Sequence, residues 1–255
     1  MSQLTAMFKK EWMESIRQFK TAALVIVLII FGIISPLTAL LMPDIMEMVM
    51  EDSGVHFELP AVQAVDSYMQ FFSNLNQMGL VILVIVLGST LTNEISRHTL
   101  INLVTKGLKR RTVIFVKYFY ACLVWTVGYV MSAVITYLYT IYYWDNDVPH
   151  VLLSFSLTWL FGIFLISIIM FASSIFKSSY IAVLMTVLAV VVVMIALSIH
   201  PGLSEYMPQY LLGGSTGLLN GSLQPEDVSP AVTVTVLTSI LMFVSAVFIF
   251  DKAEI

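Results

Sequence analysis

Charge is scarce in this sequence. Only 11% of its 255 residues are Asp, Glu, Lys or Arg and 59% are hydrophobic, where a soluble domain carries about 25% charged residues and roughly 45–50% apolar ones. Such a chain cannot cover an apolar interior with polar surface, so it needs a nonpolar solvent. Cysteine is nearly absent: Cys122 stands alone inside an apolar run, which excludes an intrachain disulfide framework. No GxxxxGK[ST] phosphate loop occurs, so the chain does not hydrolyse nucleotides by that route. HExxH, CxxC and GxSxG are also missing, and the four histidines are scattered. His56 and Glu58, two apart, read as solvated loop residues rather than a metal site. The dense basic cluster Lys109-Arg110-Arg111 borders an apolar run, where basic residues have a membrane explanation rather than a nucleic-acid one.

What the sequence has in quantity is long apolar runs. Six reach a length able to cross a bilayer: about 21–42, 77–93, 118–143, 151–175, 180–199 and 231–250. A helix needs about 20 residues to cross roughly 30 Å of hydrocarbon. The stretch VLAVVVVMIAL (187–197) does not alternate in polarity, so the spans are helices rather than barrel strands. The run 77–93 is the shortest, and its helix is expected to start before Gln77 or to continue past Asn93. Residues 1–20 carry four basic and two acidic residues ahead of a run too long for a signal peptide, so the first span is expected to stay in place.

The basic residues set an orientation. All 12 lysines and arginines fall in 1–20, 94–117, at Lys177 or at Lys252. The alternate loops 43–76, 144–150 and 200–230 have none and are acidic instead. The positive-inside rule then puts both termini in the cytoplasm. The expected architecture is an all-α integral membrane protein of six transmembrane helices. An N-terminal amphipathic elbow helix (1–20) precedes a single membrane domain (21–255).

Three segments outside the runs carry information. In residues 4–20, Leu4, Phe8, Trp12, Ile16 and Phe19 recur at steps of three and four and share one helical face. That face suits an interfacial helix lying on the inner leaflet. In 94–117, Leu100, Ile101, Leu103 and Val104 form a short apolar stretch between charges. Apolar surface on a loop marks a partner site or folds back onto the membrane. Residues 200–230 are rich in Gly, Pro and Ser yet contain YLL and GLL, which fits short helices dipping into the outer face or an ordinary loop.

Inside the runs, no Asp, Glu, Lys, Arg or His lies deep in a span. Ion-coupled carriers and proton pumps retain such residues despite their cost, so their absence weighs against both and leaves the chain without an evident energy source. Gly128, Ser132, Thr136 and Thr140 stand four apart, a small-residue stripe that lets another helix approach closely. Ser154, Thr158 and Gly162 repeat the pattern. Either stripe serves packing within the chain or a dimer axis or pathway.

Taken in order, these features resemble the permease subunit of bacterial type-2 ABC exporters over nearly the whole chain. An elbow sequence FKKEWMESIRQFK (8–20) precedes the first span, and Glu94 follows the second. Arg97-His98-Thr99-Leu100, then Leu103-Val104-Thr105, then Lys106-Gly107-Leu108-Lys109-Arg110 and Lys117 follow the family pattern, with His98 in place of its Gly and Gly107 in place of its Pro. The resemblance implies a coupling helix at Thr99–Thr105. Glu94, Arg97, Thr99, Leu100, Ile101, Leu103, Val104 and Lys106 would contact a separate cytoplasmic ATP-binding subunit, present in two copies and carrying ATP and Mg. It also implies a second permease half, a copy or a different chain, and a place in the bacterial cytoplasmic membrane. No cofactor or enzyme activity is expected in this chain.

The segment 43–78 holds Met46, Met48, Met50, Met69 and Met78, with Phe57, Phe71 and Phe72 among six acids. Met-rich surfaces adapt to varied apolar partners and acids attract cations, so an amphipathic, cationic peptide is the expected substrate. An ATPase-independent channel or carrier, and a non-transporting immunity or sensor protein, are the alternatives.

Overall fold

The computed structural model describes residues 3–53, 61–88, 109–145, 147–176, 178–199 and 201–252. Every regular element among them is helical. The chain runs α1 (Gln3–Gln18), α2 (Lys20–Ser53), α3 (Ala64–Asn74), a π-helical turn (Leu75–Gly79), α4 (Leu80–Leu87) and α5 (Arg110–Tyr143). It continues through α6 (Val151–Ile175), α7 (Ser179–Ile199), a 3₁₀ turn (Pro201–Tyr206), α8 (Tyr210–Leu219) and α9 (Pro225–Lys252). Among the described residues five segments are long and apolar enough to cross a membrane: Lys20–Met48, Ala64–Leu87, Arg110–Tyr143, Val151–Ile175 and Pro225–Lys252. In α7 the described side chains from Tyr180 to Val192 form a further apolar stretch. The protein is therefore membrane-embedded, and its surface agrees. Ile26, Ile30, Val130, Val134, Leu237, Leu241 and Phe248 are all exposed, an apolar exterior that water would not tolerate at this extent.

Several boundaries differ from the hydropathy reading. The second span does begin before Gln77, at Ala64. Ala64, Tyr68, Phe71, Phe72 and Leu75 form one buried stripe at helical spacing, and the polar residues between them hid it from a hydropathy window. Capping is local: Gln63 N donates to Asp66 Oδ2 at 2.8 Å. Residues 110–117, expected in the cytoplasmic loop, form the first two turns of α5. The first span extends to Ser53, through Pro36 and Pro43.

Pro36 shows how the helix survives. It has no N–H to give Gly32 O, and in lipid an unpaired carbonyl costs several kcal/mol. From α5 the Thr136 hydroxyl shares its proton between that oxygen, at 3.2 Å, and Ser132 O of its own helix, at 3.1 Å. One turn earlier Ser132 Oγ donates to Leu28 O at 2.6 Å. The approach is close: a Cβ on Gly32 would stand 2.7 Å from Ser132 O.

α6 is the central helix, packed by α9, α8, α5 and α7. α2 and α3 pack on α5 from the other side. Phe155 of α6 anchors an aromatic cluster, its ring 5.4 Å from Phe71 and 5.3 Å from Phe72. α9 turns a narrow seam of Val228, Ala231, Thr235, Ser239, Ala246 and Phe250 inward. α8 lies against α6, where Thr158 Oγ1 and Ser215 Oγ bond at 2.9 Å. Residues 201–219 thus fold as two short helices, one seated on a span.

Candidate functional site

Three places in this bundle gather polar or small side chains. The first is the end of the bundle where α1, the start of α5 and the end of α9 meet. Lys117 Nζ donates to Glu11 Oε1 at 2.9 Å, with both side chains buried. Lys10 adds contacts to Glu11 at 3.6 Å and to Glu14 at 3.2 Å. Arg111 reaches Asp251 of α9 at 2.7 Å. Lys10, Arg111 and Lys117, which the sequence puts in separate segments, thus gather at one end.

At that end α1 presents two faces. Met7 and Glu11 are buried, while Leu4, Trp12, Ile16 and Phe19 are exposed. Phe8 is half-buried, its ring 5.8 Å from Tyr120, and Trp12 stands at 6.5 Å from the same ring. A one-residue joint follows: Phe19 takes a left-handed φ of 56° and α2 starts at Lys20. The apolar face predicted from spacing is thus the outward one. The residues that bolt α1 to the bundle are instead Met7 and Glu11. A carboxylate in line with Met7, one turn on, was the available signal for that face. Glu94, Arg97, Thr99, Leu100, Ile101, Leu103, Val104 and Lys106 lie outside the described residues.

The second place is the small-residue stripe. Gly128, Ser132, Thr136 and Thr140 are buried. Their partners lie within the chain: Leu28 and Gly32 of α2, and Ser67 of α3, whose hydroxyl bonds Thr140 Oγ1 at 2.8 Å. The parallel stripe of α6 behaves alike. A Cβ on Gly162 would stand 2.2 Å from Trp125 Cε2. Both stripes are used for packing inside the protomer.

The third place was not legible from hydropathy. Midway along the Ala64–Leu87 helix, roughly 15 Å from its start, amides cluster around the π-helical turn Leu75–Gly79. Asn74 Nδ2 donates to Ser35 Oγ at 3.0 Å, and Ser35 Oγ donates to Phe31 O at 2.6 Å. Gln70 Nε2 donates to Asn74 Oδ1 at 3.3 Å, and Gln77 Nε2 to Ser73 Oγ at 2.8 Å. Asn76 Oδ1 is buried and accepts no hydrogen bond among the described residues. π-bulges inside helices occur frequently at functional sites. An unpaired carbonyl at membrane depth costs about 1–3 kcal/mol.

Phe71 and Phe72, expected on an outer Met-rich surface, are fully buried instead. Met48 and Met78 are exposed. Among the described residues no cluster of His, Cys, Asp and Glu is arranged to hold a metal ion. No family model matches this chain. No curated protein matches it either.

Proposed function

We propose that this chain is the membrane subunit of an ATP-driven exporter of the type-2 ABC kind. It forms half of a translocation pathway together with a second permease half. In this reading the chain has six spans, α7 being the sixth beside the five long ones, with α1 as the elbow on the inner leaflet. Both termini and the segment 94–108 face the cytoplasm of a bacterium. A separate ATP-binding subunit, in two copies and holding ATP and Mg, docks on Glu94, Arg97, Thr99, Leu100, Ile101, Leu103, Val104 and Lys106.

The observation that carries the reading is the amide cluster at the π-helical turn. Polar side chains and irregular backbone at membrane depth are tolerated where they meet protein or a water-filled path. Gln77 is exposed halfway along a span, the position a pathway lining would occupy. Two further features support it. The chain carries no nucleotide-hydrolysing motif, so energy must come from a partner. The buried Glu11–Lys117 pair braces α1 against α5, so force applied to the segment between α4 and α5 would move both as one body.

The test is purification of the tagged chain from its native membrane in mild detergent. An ATPase should co-purify, and Leu100→Asp, Ile101→Asp and Leu103→Asp together should release it while the variant still folds. If wild-type protein holds no ATPase under any condition, the exporter reading falls and a channel or a sequestering protein takes its place.

A further inference from the structure

At the end of the bundle opposite the basic cluster, a groove runs down between α5 and α6. It has a volume of about 670 Å³ and is walled by Tyr129, Val134, Tyr137, Phe155 and Trp159, with Thr126 at its floor. It is open along its length: Val130 and Val134 are each 49% exposed and Leu152 82%. The groove spans roughly 16 Å along α5 from Tyr137 to Thr126.

Four of its five polar side chains are already engaged, the exception being the exposed Tyr137 phenol near its upper end. Tyr129 OH donates to Phe155 O at 2.7 Å, and Trp159 Nε1 to Thr126 Oγ1 at 3.0 Å. Thr126 Oγ1 donates to Cys122 O at 2.7 Å, and Ser156 Oγ to Leu152 O at 2.8 Å. No donor of these four groups is left over, so an occupant of the groove is apolar from Trp159 up to the Tyr137 phenol.

At Val148 the groove meets a second cavity of about 600 Å³, and that residue lines both. The second cavity differs in character. Gln63, Trp144, Asp145, Asp147 and Asn220 line it. None of the 12 lysines and arginines lies in the segments that form this end, so the two carboxylates have no basic side chain of those segments beside them. Trp144 adds an aromatic face, which favours cations and above all quaternary ammonium groups. The same end is acidic elsewhere: burial, then the Glu205 and Asp227 carboxylates, hold the Tyr210 phenol above its ordinary range.

We infer that groove and chamber form one binding site for a single-chain cationic amphiphile. The alkyl chain lies between α5 and α6, and an ammonium head sits among Asp145, Asp147 and Trp144. Charge complementarity selects the occupant, because a head group of net negative charge would face two carboxylates, while a lone ammonium meets them without a phosphate beside it. The site stands independently of the ATP-driven reading, since it needs only this chain.

The test uses the full chain in nanodiscs of an uncharged galactolipid, which brings no ammonium head of its own, with ω-bromododecyltrimethylammonium as probe and ω-bromododecyl sulfate as its anionic counterpart. The tail bromine quenches Trp159 at the groove floor, and Trp159→Phe identifies that share of the signal. Saturable quenching by the cation is expected at about tenfold lower concentration than by the sulfate. Asp145→Asn with Asp147→Asn should erase the preference. Val134→Phe, at an exposed position, should remove the quenching of Trp159 while helicity stays unchanged. Equal quenching by both probes, or quenching untouched by Val134→Phe, would mean simple partitioning into lipid and would overturn the proposal. A charge preference that survives the Asn pair would overturn the assigned head site.

Discussion

At the scale of single residues, the Glu11–Lys117 pair makes the sharpest demand. Both side chains are buried, at 8% and 2% exposure. Removing Glu11 takes the buried carboxylate from the Lys117 ammonium, a loss of about 3–5 kcal/mol, whereas removing Lys117 leaves Glu11 still beside Lys10, and replacing both with apolar residues of similar size is near neutral. Glu11→Leu should therefore lower the melting temperature in detergent strongly and Lys117→Met less so, and the double variant should recover most of the Glu11→Leu loss. Asn76 makes the opposite demand. Its carbonyl oxygen is buried without a partner among the described residues, so Asn76→Leu should raise stability by about 1 kcal/mol and, under the proposed exporter function, reduce transport. Such a split between stability and activity is the mark of a group retained for function. An equal loss of both in Asn76→Leu would assign the amide to packing. Gly162 tests the close contact in α6. A methyl group there meets the Trp125 ring at 2.2 Å, so Gly162→Ala should cost about 1–3 kcal/mol. Gly202→Ala is the control, with nothing within 4 Å of the added carbon.

At the scale of elements, α2 and α5 depend on each other through a defect. Pro36 leaves Gly32 O without its own helix donor, and Thr136 supplies one from across the interface. Thr136→Val should cost about 0.6 kcal/mol, the usual worth of such bonds in membranes, provided Pro36 is present. With Pro36→Ala the helix regains its own N–H, and the cost of Thr136→Val should shrink. A double-mutant cycle by unfolding measures the difference, and perfect additivity would rule out the pairing. The Ala64–Leu87 helix carries a defect of another kind. Its π-helical turn shifts the register between the stripe of Tyr68, Phe71 and Phe72 and the stripe of Leu80, Leu83, Val84 and Leu87. One added residue in a turn rotates everything beyond it, which brings both stripes against the bundle and turns Gln77 and Met78 outward.

At the scale of the molecule, charge is sorted between two ends. Arg111 with Asp251 and Lys117 with Glu11 hold one end together. Asp145, Asp147 and Asn220 gather at the other. Under the six-span reading the second end faces outward. In a variant with Cys122→Ala, a cysteine placed at Asp145 or Glu226 should react with a membrane-impermeant maleimide on intact cells. One placed at Lys109 should react only after the cells are opened. The reverse pattern would invert the topology, and labelling at Asp145 alone would reduce the number of spans.

The sequence by itself determined the membrane solvent, the helical class, most of the spans and the segregation of charge, because composition and run length act locally and survive without a fold. It also located the Gly128–Ser132–Thr136–Thr140 stripe, whose spacing is a property of one helix. Only the tertiary structure decided which helix that stripe meets, since Leu28 and Gly32 lie about a hundred residues away in the chain and no local pattern names a partner. The same holds for the Glu11–Lys117 brace. It holds for the amide cluster, where Asn74 reads as a loop residue until Ser35 of another helix stands beside it. It holds as well for the groove between α5 and α6, a cavity that exists only once two helices splay apart.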